Sequence, residues 1–512
     1  MALSVVHTGS AAELVIGVRS EPAVDPHFLY LTSNIAYNRH VFGHLTVLSH
    51  DAKLMPDLAT SWKPIDDLHW EVNLRPDVKF HDGSDFTAED VLFSIKRVSS
   101  VPNNPSTYAS GIRSIVDTKI VNPHKIIFTT DEPNPILMNY IRMIAIVSKK
   151  VAEKATTADF KSGKAAIGTG PYKFVEYVPG SHYVLERFEN YWGEKPAYQK
   201  VTFKIISNDA ARVAALLAGD VDMIDYVPPT DVDHLKKNKD IDVYSRPSDR
   251  VIFMFFDSIR NQSPYVKGKN GKPLPQNPFK DSRVRKALSM AINRDAICSQ
   301  VMDRLAYPEN QLIPKGWLGY NPNIKSEKYD PAGAKKLLAE AGYPEGFSLT
   351  IHGPNDRYVN DSKVCQAVAQ MLARIGLDVK VETMPQSVYF GKANPPAREF
   401  SFDLIGWGTA GSASSVHTLL TVIHSYDKAK GVGTWNGGYS NPEVDRLIDE
   451  AVVILDDSKR EKALQRAMAA AMEDYSVVPL YAQSTIAATR RGIVYTPYAD
   501  EETIAMSVKP TP

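Results

Sequence analysis

Cysteine is nearly absent. Cys298 and Cys365 are the only two in 512 residues, too few for a disulfide framework, and neither has a partner at metal-ligand spacing. Each falls inside a helical pattern and reads as a small buried residue, with a single disulfide as the other reading. An excess of charge is also missing, because Lys+Arg 59 balances Asp+Glu 59 to a formal net charge of +0. That removes the overall electrostatic case for binding nucleic acid or an anionic membrane. No apolar run approaches the roughly 20 residues needed to cross a bilayer. "MALSVVHTGSAAELVIGV" has no basic region followed by a long apolar one, so it does not read as an intact signal peptide. Internal repeats and low-complexity segments are lacking. So are the G-x-S-x-G, H-E-x-x-H and G-x-x-x-x-G-K-[ST] templates of hydrolases, metalloproteases and nucleotide binders.

What is present is an ordinary globular composition, 43% hydrophobic, 23% charged and 9% aromatic. A chain of 512 residues exceeds one hydrophobic core, which calls for at least two lobes. "ELVIGVR" (13–19) reads as a short strand. "HWEVNLRPDVKFHDG" (69–83) alternates like a hairpin turning at Arg75-Pro76-Asp77, and "GPYKFVEYVPGSHYVLERFENYW" (170–192) like one turning at Pro179-Gly180. "NDAARVAALLAGDVDMIDYV" predicts a helix with Val213, Leu216 and Leu217 on its apolar face, stopped near Gly219, then a strand. A second helix follows Asp281 as N-cap, with Val284, Leu288, Ala291 and Ile292 as its stripe. Between 330 and 384 the order is helix, strand, helix, strand, with Asp330-Pro331 opening the first helix and Gly342 and Gly376 closing the two. That spacing predicts a parallel or mixed sheet covered by helices. "FDLIGWG" (402–408) adds an apolar strand and 441–474 two more helices. The proline-rich "GKNGKPLPQNPFKD" (268–281) is the candidate lobe boundary.

Polar clusters have to be weighed against plain structural roles. "LRPDVKFHDGSDFTAEDVLFSIKRV" (74–98) gathers His81, Asp82, Asp85, Glu89 and Asp90. Thr87 with Asp90 three residues on fits a helix N-cap and first-turn acid, Asp82-Gly83 fits a tight turn, and His81 has no second ligand nearby. The stretch therefore reads as a structural corner. "GTGPYKF" (168–174) precedes a hairpin rather than a helix, so it points no helix terminus at a phosphate. His417 with Asp427 and Ser412, Ser414 or Ser415 offers a weak hydrolase triad, and His417 with His424 a weak metal pair. With no nucleophile, acid–base pair or cofactor loop in evidence, the profile is that of a cleft that holds a solute without transforming it.

Five stretches, "LMPDLATSW", "LRPDVKFHDGSDFTAEDVLFSIKRV", "GTGPYKFVEY", "NPFKDSRVRKALSMAINRDA" and "YSNPEVDRLIDEA", resemble in order the solute-binding proteins of peptide/nickel-type ABC importers. The resemblance runs from about residue 13 to 512. It implies an α/β bilobal periplasmic-binding-protein fold of type II with an extra subdomain, its two mixed lobes joined by a hinge. The first lobe would comprise 13–55, 170–269 and 483–512, with the extra subdomain at 56–169, and the second lobe 270–482. The implied protein is a periplasmic, monomeric receptor without cofactor, metal or enzymatic activity. It would close on a solute and deliver it to membrane permease subunits, driven by a separate ATPase.

The resemblance also implies site residues. Arg357 stands where an arginine pairs with a peptide carboxylate, Tyr108 resembles a cleft tyrosine, and Trp407 matches an aromatic beside the ligand backbone. Peptide binders carry an aspartate three residues after that tryptophan, to receive the ligand's ammonium group. Here the position is Ala410. Either another carboxylate serves, with Asp25 and Asp356 the candidates, or the solute lacks a free amine and is a sugar, an opine-like conjugate or a modified peptide. Gly408, Thr409, Gly411 and Ser412 would suit close contact with a polar ligand of that kind. A metal-chelate receptor using His417 or His424 is a further alternative, and a hydrolase the last.

Overall fold

A computed structural model describes residues 13–105, 107–409 and 412–511. The chain forms two compact units, one running up to Arg246 and resuming at Thr485, the other Pro247–Ser484. It passes between them inside two strands, Ile241–Phe256 and Val477–Arg490.

In the first unit the strand Glu13–Val18 lies parallel to Lys200–Ile205 on one side and to Met223–Ile224 on the other. Flanked on both edges, it reads as an apolar run, and Leu14, Ile16 and Val18 are buried in a core with Val41, Phe42 and Phe203. Tyr172–Val178 and His182–Arg187 form the expected hairpin about Pro179-Gly180 and continue onto Lys200–Ile205. The helix Asp209–Ala218 ends at Gly219 in left-handed backbone, φ 82. Its Val213 and Leu216 are buried, but Leu217 is exposed.

A separate four-stranded antiparallel sheet is built from Ala59–Pro64, His69–Leu74, Lys125–Thr130 and Ile115–Asn122, in that spatial order. This corrects the hairpin expected over 69–83. His69–Leu74 pairs with Ala59–Pro64 and Lys125–Thr130, while the chain after it turns away at Asp77, φ 59, and keeps only a bridge from Lys79 to Asp85. The corner that follows is structural, as expected. Thr87 caps the helix Ala88–Arg97 and Asp90 accepts the Thr87 N–H at 2.9 Å, completing a capping box. Val91, Ile95 and Val98 face the core. His81 Nδ1 accepts the Gly168 N–H at 3.3 Å and Nε2 donates to the Gly170 carbonyl at 3.0 Å. Those glycines are where two backbone segments touch: a Cβ at Gly168 would lie 2.0 Å from the Val41 oxygen, and one at Gly170 2.6 Å from the His40 oxygen. "GTG" is thus a packing motif rather than a phosphate loop.

The second unit contains the expected strand–helix–strand. Ser348–Pro354 and Asp378–Met384 run parallel in register from Ser348↔Asp378 to Pro354↔Met384, joined by the helix Asp361–Ala373. Phe402–Trp407 lies beside Ser348–Pro354 and pairs antiparallel with residues 251–256. That residue-for-residue pairing is why 247–269, assigned by sequence to the first lobe, belongs to the second unit. The proline-rich stretch is a loop within this unit, closed by the Gly268 N–H on the Lys272 carbonyl. Cys298 and Cys365 are both buried and unpaired, which sets the disulfide aside, and burial pushes the Cys298 thiol up to about 12. Among the described residues no helix is long and apolar enough to cross a membrane.

Candidate functional site

The antiparallel pairing of residues 251–256 with Phe402–Trp407 ends at Val251↔Trp407, and there the apolar strand gives way to a polar loop. The Trp407 ring stacks on His417, centroids 5.6 Å apart and planes 23° apart, and meets Trp435 at 5.4 Å. Trp435 in turn meets Phe390 edge to face at 5.6 Å. Trp407 is half-buried, and its Nε1–H is shielded from water with no hydrogen-bond partner. Burial draws the half-exposed His417 down to about 4, so the ring beside the indole is neutral at pH 7.

An acid that sequence reasoning missed organises the loop. Asp249, on the neighbouring strand, accepts both the backbone N–H and the hydroxyl of Thr409 on Oδ2, each at 2.7 Å. Its other oxygen lies 2.9 Å from where a Cβ would stand on Gly408, which explains a glycine there. The Ser412 hydroxyl donates to the Thr409 carbonyl at 2.7 Å. Thr409, Ser412 and Asp249 are all buried. Nothing near 407 in the chain points to Asp249; only the strand pairing brings it in. Ala410 and Gly411 lie outside the described residues.

Arg357 reaches the same strand end through its neighbour. Its guanidinium carbon sits 5.1 Å from the Tyr358 ring, and the Tyr358 hydroxyl donates to the Gly406 carbonyl at 3.0 Å. Arg357 and Tyr358 N–H groups both donate to Asp361. The structure therefore groups Trp407, Gly408, Thr409, Ser412, His417 and Arg357 in one unit.

Other candidates are placed differently. Asp25 belongs to the first unit and is 1% exposed. Its oxygens accept Arg97 Nη1 at 2.8 Å and Nη2 at 2.7 Å, and Thr157 donates at 2.9 Å. A carboxylate so committed is no seat for a ligand's ammonium. Tyr108, also in the first unit, is 3% exposed, with its ring against Tyr30 and its hydroxyl donating to the Leu29 carbonyl at 3.0 Å. It is a buried tyrosine rather than a cleft or surface one, and burial raises its pKa further. Asp356 accepts the Gln386 N–H at 2.7 Å. Of the suggested triad, Asp427 accepts backbone N–H groups from Ala429 and Lys430, Ser414 accepts from Val416 and the Ser412 hydroxyl donates to the Thr409 carbonyl, while the Ser415 hydroxyl is buried without a hydrogen-bond partner. His424 contacts the Ser425 carbonyl at 2.8 Å and Asp449 at 3.2 Å. Among the described residues no group of three or more His, Cys, Asp or Glu could hold a metal ion.

Residues 53–430 match the model of a protein family, the "Bacterial extracellular solute-binding proteins, family 5 Middle". The chain is 28% identical to the oligopeptide-binding protein AppA of Bacillus subtilis (strain 168), over 92% of this chain and 86% of that protein. It is 26% identical to the glutathione-binding protein GsiB of Escherichia coli O1:K1 / APEC, over 94% of this chain and 91% of that one. Its fold is similar to the structure of HbpA2 from Haemophilus parasuis, with a TM-score of 0.82 at 21% identity, covering 98% of this chain and 100% of the other.

Proposed function

The chain belongs to the bacterial extracellular solute-binding proteins of family 5, the α/β bilobal receptors of ABC importers, and we propose that the solute it collects is a peptide received on the face of the second unit built around Trp407. The observation that carries this reading is the Trp407 side chain itself. Its ring stacks on His417 and touches Trp435 at a tilt, and its N–H is kept from water without an acceptor. A peptide supplies what that face lacks, a carbonyl for the indole donor and flat amide surface for the rings. The names of relatives that bind oligopeptides and glutathione support the same class. On this reading Gly408, Thr409, Gly411 and Ser412 shape the rim, Arg357 faces the ligand, and the solute leaves chemically unchanged to membrane permease subunits. The protein acts as an exported monomer, without a cofactor or a metal.

A second reading has an observation of its own. Position 410 is alanine, and both Asp25 and Asp356 are engaged elsewhere. A solute with no free amine, such as an N-blocked peptide, a sugar or an opine-like compound, needs no acid at that point. Thermal-shift screening of free di- to tetrapeptides, their N-acetyl forms, oligosaccharides and opines separates the two. Free peptides raising the melting temperature most is the expected result. A response to blocked or carbohydrate compounds alone sinks the peptide reading.

A further inference from the structure

An asparagine followed by glycine is open to attack by its own main chain, because the glycine has no Cβ to block the approach of its nitrogen to the side-chain amide. Asn-Gly occurs twice in this chain, at Asn270-Gly271 and Asn436-Gly437, and the fold treats the two in opposite ways. Asn436 is 0% exposed. Its Nδ2 donates to the Ile423 and His424 carbonyls at 3.0 and 3.1 Å, and its Oδ1 accepts the Gly438 and Tyr439 N–H groups, each at 2.9 Å. Gly437 has no room to turn, since a Cβ there would stand 2.5 Å from the Phe255 ring. A side-chain amide held on both atoms cannot rotate toward the next nitrogen, nor can its ammonia leave.

Asn270 lies at the tip of a turn closed by two backbone bonds, the Gly268 N–H on the Lys272 carbonyl at 2.9 Å and the Gly271 N–H on the Gly268 carbonyl at 2.8 Å. Asn270 and Gly271 are both exposed, and nothing lies within 4 Å of where a Cβ would stand on Gly271, φ 78. The Asn270 Oδ1 accepts the Lys272 N–H at 3.0 Å. A donor on that oxygen polarises the amide carbon and stabilises the charge the oxygen takes on when a nucleophile adds. The surrounding charge acts in the same direction. From Ser258 to Lys280 the chain holds Arg260, Lys267, Lys269, Lys272 and Lys280 and no acid. Neighbouring cations favour both the deprotonated amide nitrogen that attacks and the carboxylate that results.

We propose that Asn270 is a site of spontaneous covalent modification, converted in the folded protein to isoaspartyl and aspartyl residues while Asn436 is preserved. The Gly271 nitrogen gives its proton to solvent hydroxide and adds to the Asn270 Cγ. The Cγ–Nδ2 bond then breaks, ammonia departs, and a succinimide ring remains. Water opens that ring at either carbonyl. Opening at Cγ leaves an aspartate, and opening at the main-chain carbonyl leaves an isoaspartyl residue, through whose side chain the main chain now runs. In sum, a side-chain amide and water become a carboxylate and ammonium. Either product sets a carboxylate among the lysines of an acid-free stretch, and the isoaspartyl form adds a methylene to the main chain of the turn.

The test incubates the full folded chain at pH 8.5 and at pH 6 and follows both asparagines by peptide mapping with mass spectrometry. Methyl transfer by an isoaspartyl methyltransferase detects the isomer. The peptide containing residue 270 is expected to take on the mass of deamidation, faster at the higher pH because hydroxide drives the first step, and to accept the methyl group. Asn436 should react about a hundredfold more slowly or less, since it waits for a buried segment to open. In denaturant the two sites should react at similar rates, so that the difference belongs to the fold. Asn270→Gln lies on an exposed turn and closes a ring far less readily, and it should abolish the methylation. Asn270 persisting in the folded chain while it reacts in denaturant overturns the proposal, because the turn would then protect the amide. Equal rates at both sites in the folded protein overturn it as well, and so does methylation retained in Asn270→Gln, which places the isoaspartyl residue elsewhere.

Discussion

An indole N–H closed off from water and left without an acceptor forfeits roughly 1–3 kcal/mol relative to a satisfied one, and Trp407 is in that condition. On the proposed reading a ligand oxygen recovers that deficit. Trp407→Phe keeps the stacked ring and removes the donor, so it is expected to leave the unliganded melting temperature unchanged or slightly higher. It should weaken solute binding about tenfold. Trp407→Ala also removes the platform and should cost about a hundredfold. Calorimetry with whichever peptide the screen returns reads both, and wild-type affinity in Trp407→Phe would show that the donor plays no part. The same residue shows what sequence can and cannot reveal at this scale. Trp407 is singled out by the resemblance to the family, and it stands where the apolar strand Phe402–Trp407 ends. Asp249 was not legible, since it meets Thr409 from 160 residues away. Asp25 and Tyr108 looked available for the opposite reason: their partners Arg97 and Leu29 stand 72 and 79 positions off, and a polar residue seen without its partner resembles a ligand.

Elements were legible where the rule that forms them is local. Capping at Thr87, Asp281 and Asp330 was readable, as were the glycine stops at Gly219, Gly342 and Gly376, all at positive φ, because each depends on a few consecutive residues. The partners of His69–Leu74 come from before and well after it in the chain, and alternation does not say which neighbour a strand takes. The prolines at 268–281 mark turns, whereas membership of a unit is decided by strand pairing. Two substitutions test the corner. Thr87→Ala removes the cap and should cost about 1 kcal/mol in denaturant unfolding. Gly168→Ala forces a Cβ to within 2.0 Å of a backbone oxygen, and should cost several-fold more, about 3 kcal/mol or above, because backbone on both sides must move. If the two proved equal, close backbone approach would not be what holds the corner.

At the scale of the whole molecule, buried titratable groups divide unevenly between the units and make one of them the weaker in acid. In the first unit burial draws His27, His40 and His81 to about 4 and His44 to about 3. The His40 contacts show why: Nδ1–H donates to the Ala36 carbonyl and Nε2 accepts the Ala505 N–H at 3.0 Å, so a second proton would set two N–H groups face to face. Each histidine's folded value lies below the unfolded value of about 6.5. Its contribution is therefore present above pH 6.5 and lost as pH falls toward 4, by up to about 3 kcal/mol. Asp57 and Asp225, pushed up to about 6 by burial, oppose this, since protonation favours their folded form as pH falls from 6. With His50 also lowered by burial and Asp90 also raised by it, five losses against three gains leave the first unit weakened by acid. In the second unit His417, near 4, and His352, also lowered, are offset by Asp403 at about 7 and Glu309 at about 8, so its stability varies little over the same range. Amide exchange read by mass spectrometry at pH 7.5, 6, 5 and 4.5, corrected for the intrinsic rate, should show protection falling first in the strand Glu13–Val18 and the helix Thr32–Val41, while Ser348–Pro354 and Asp361–Ala373 hold. Equal loss in both units would mean that the histidines of the first exchange protons with solvent before it unfolds, and that their burial is not what sets the molecule's acid limit.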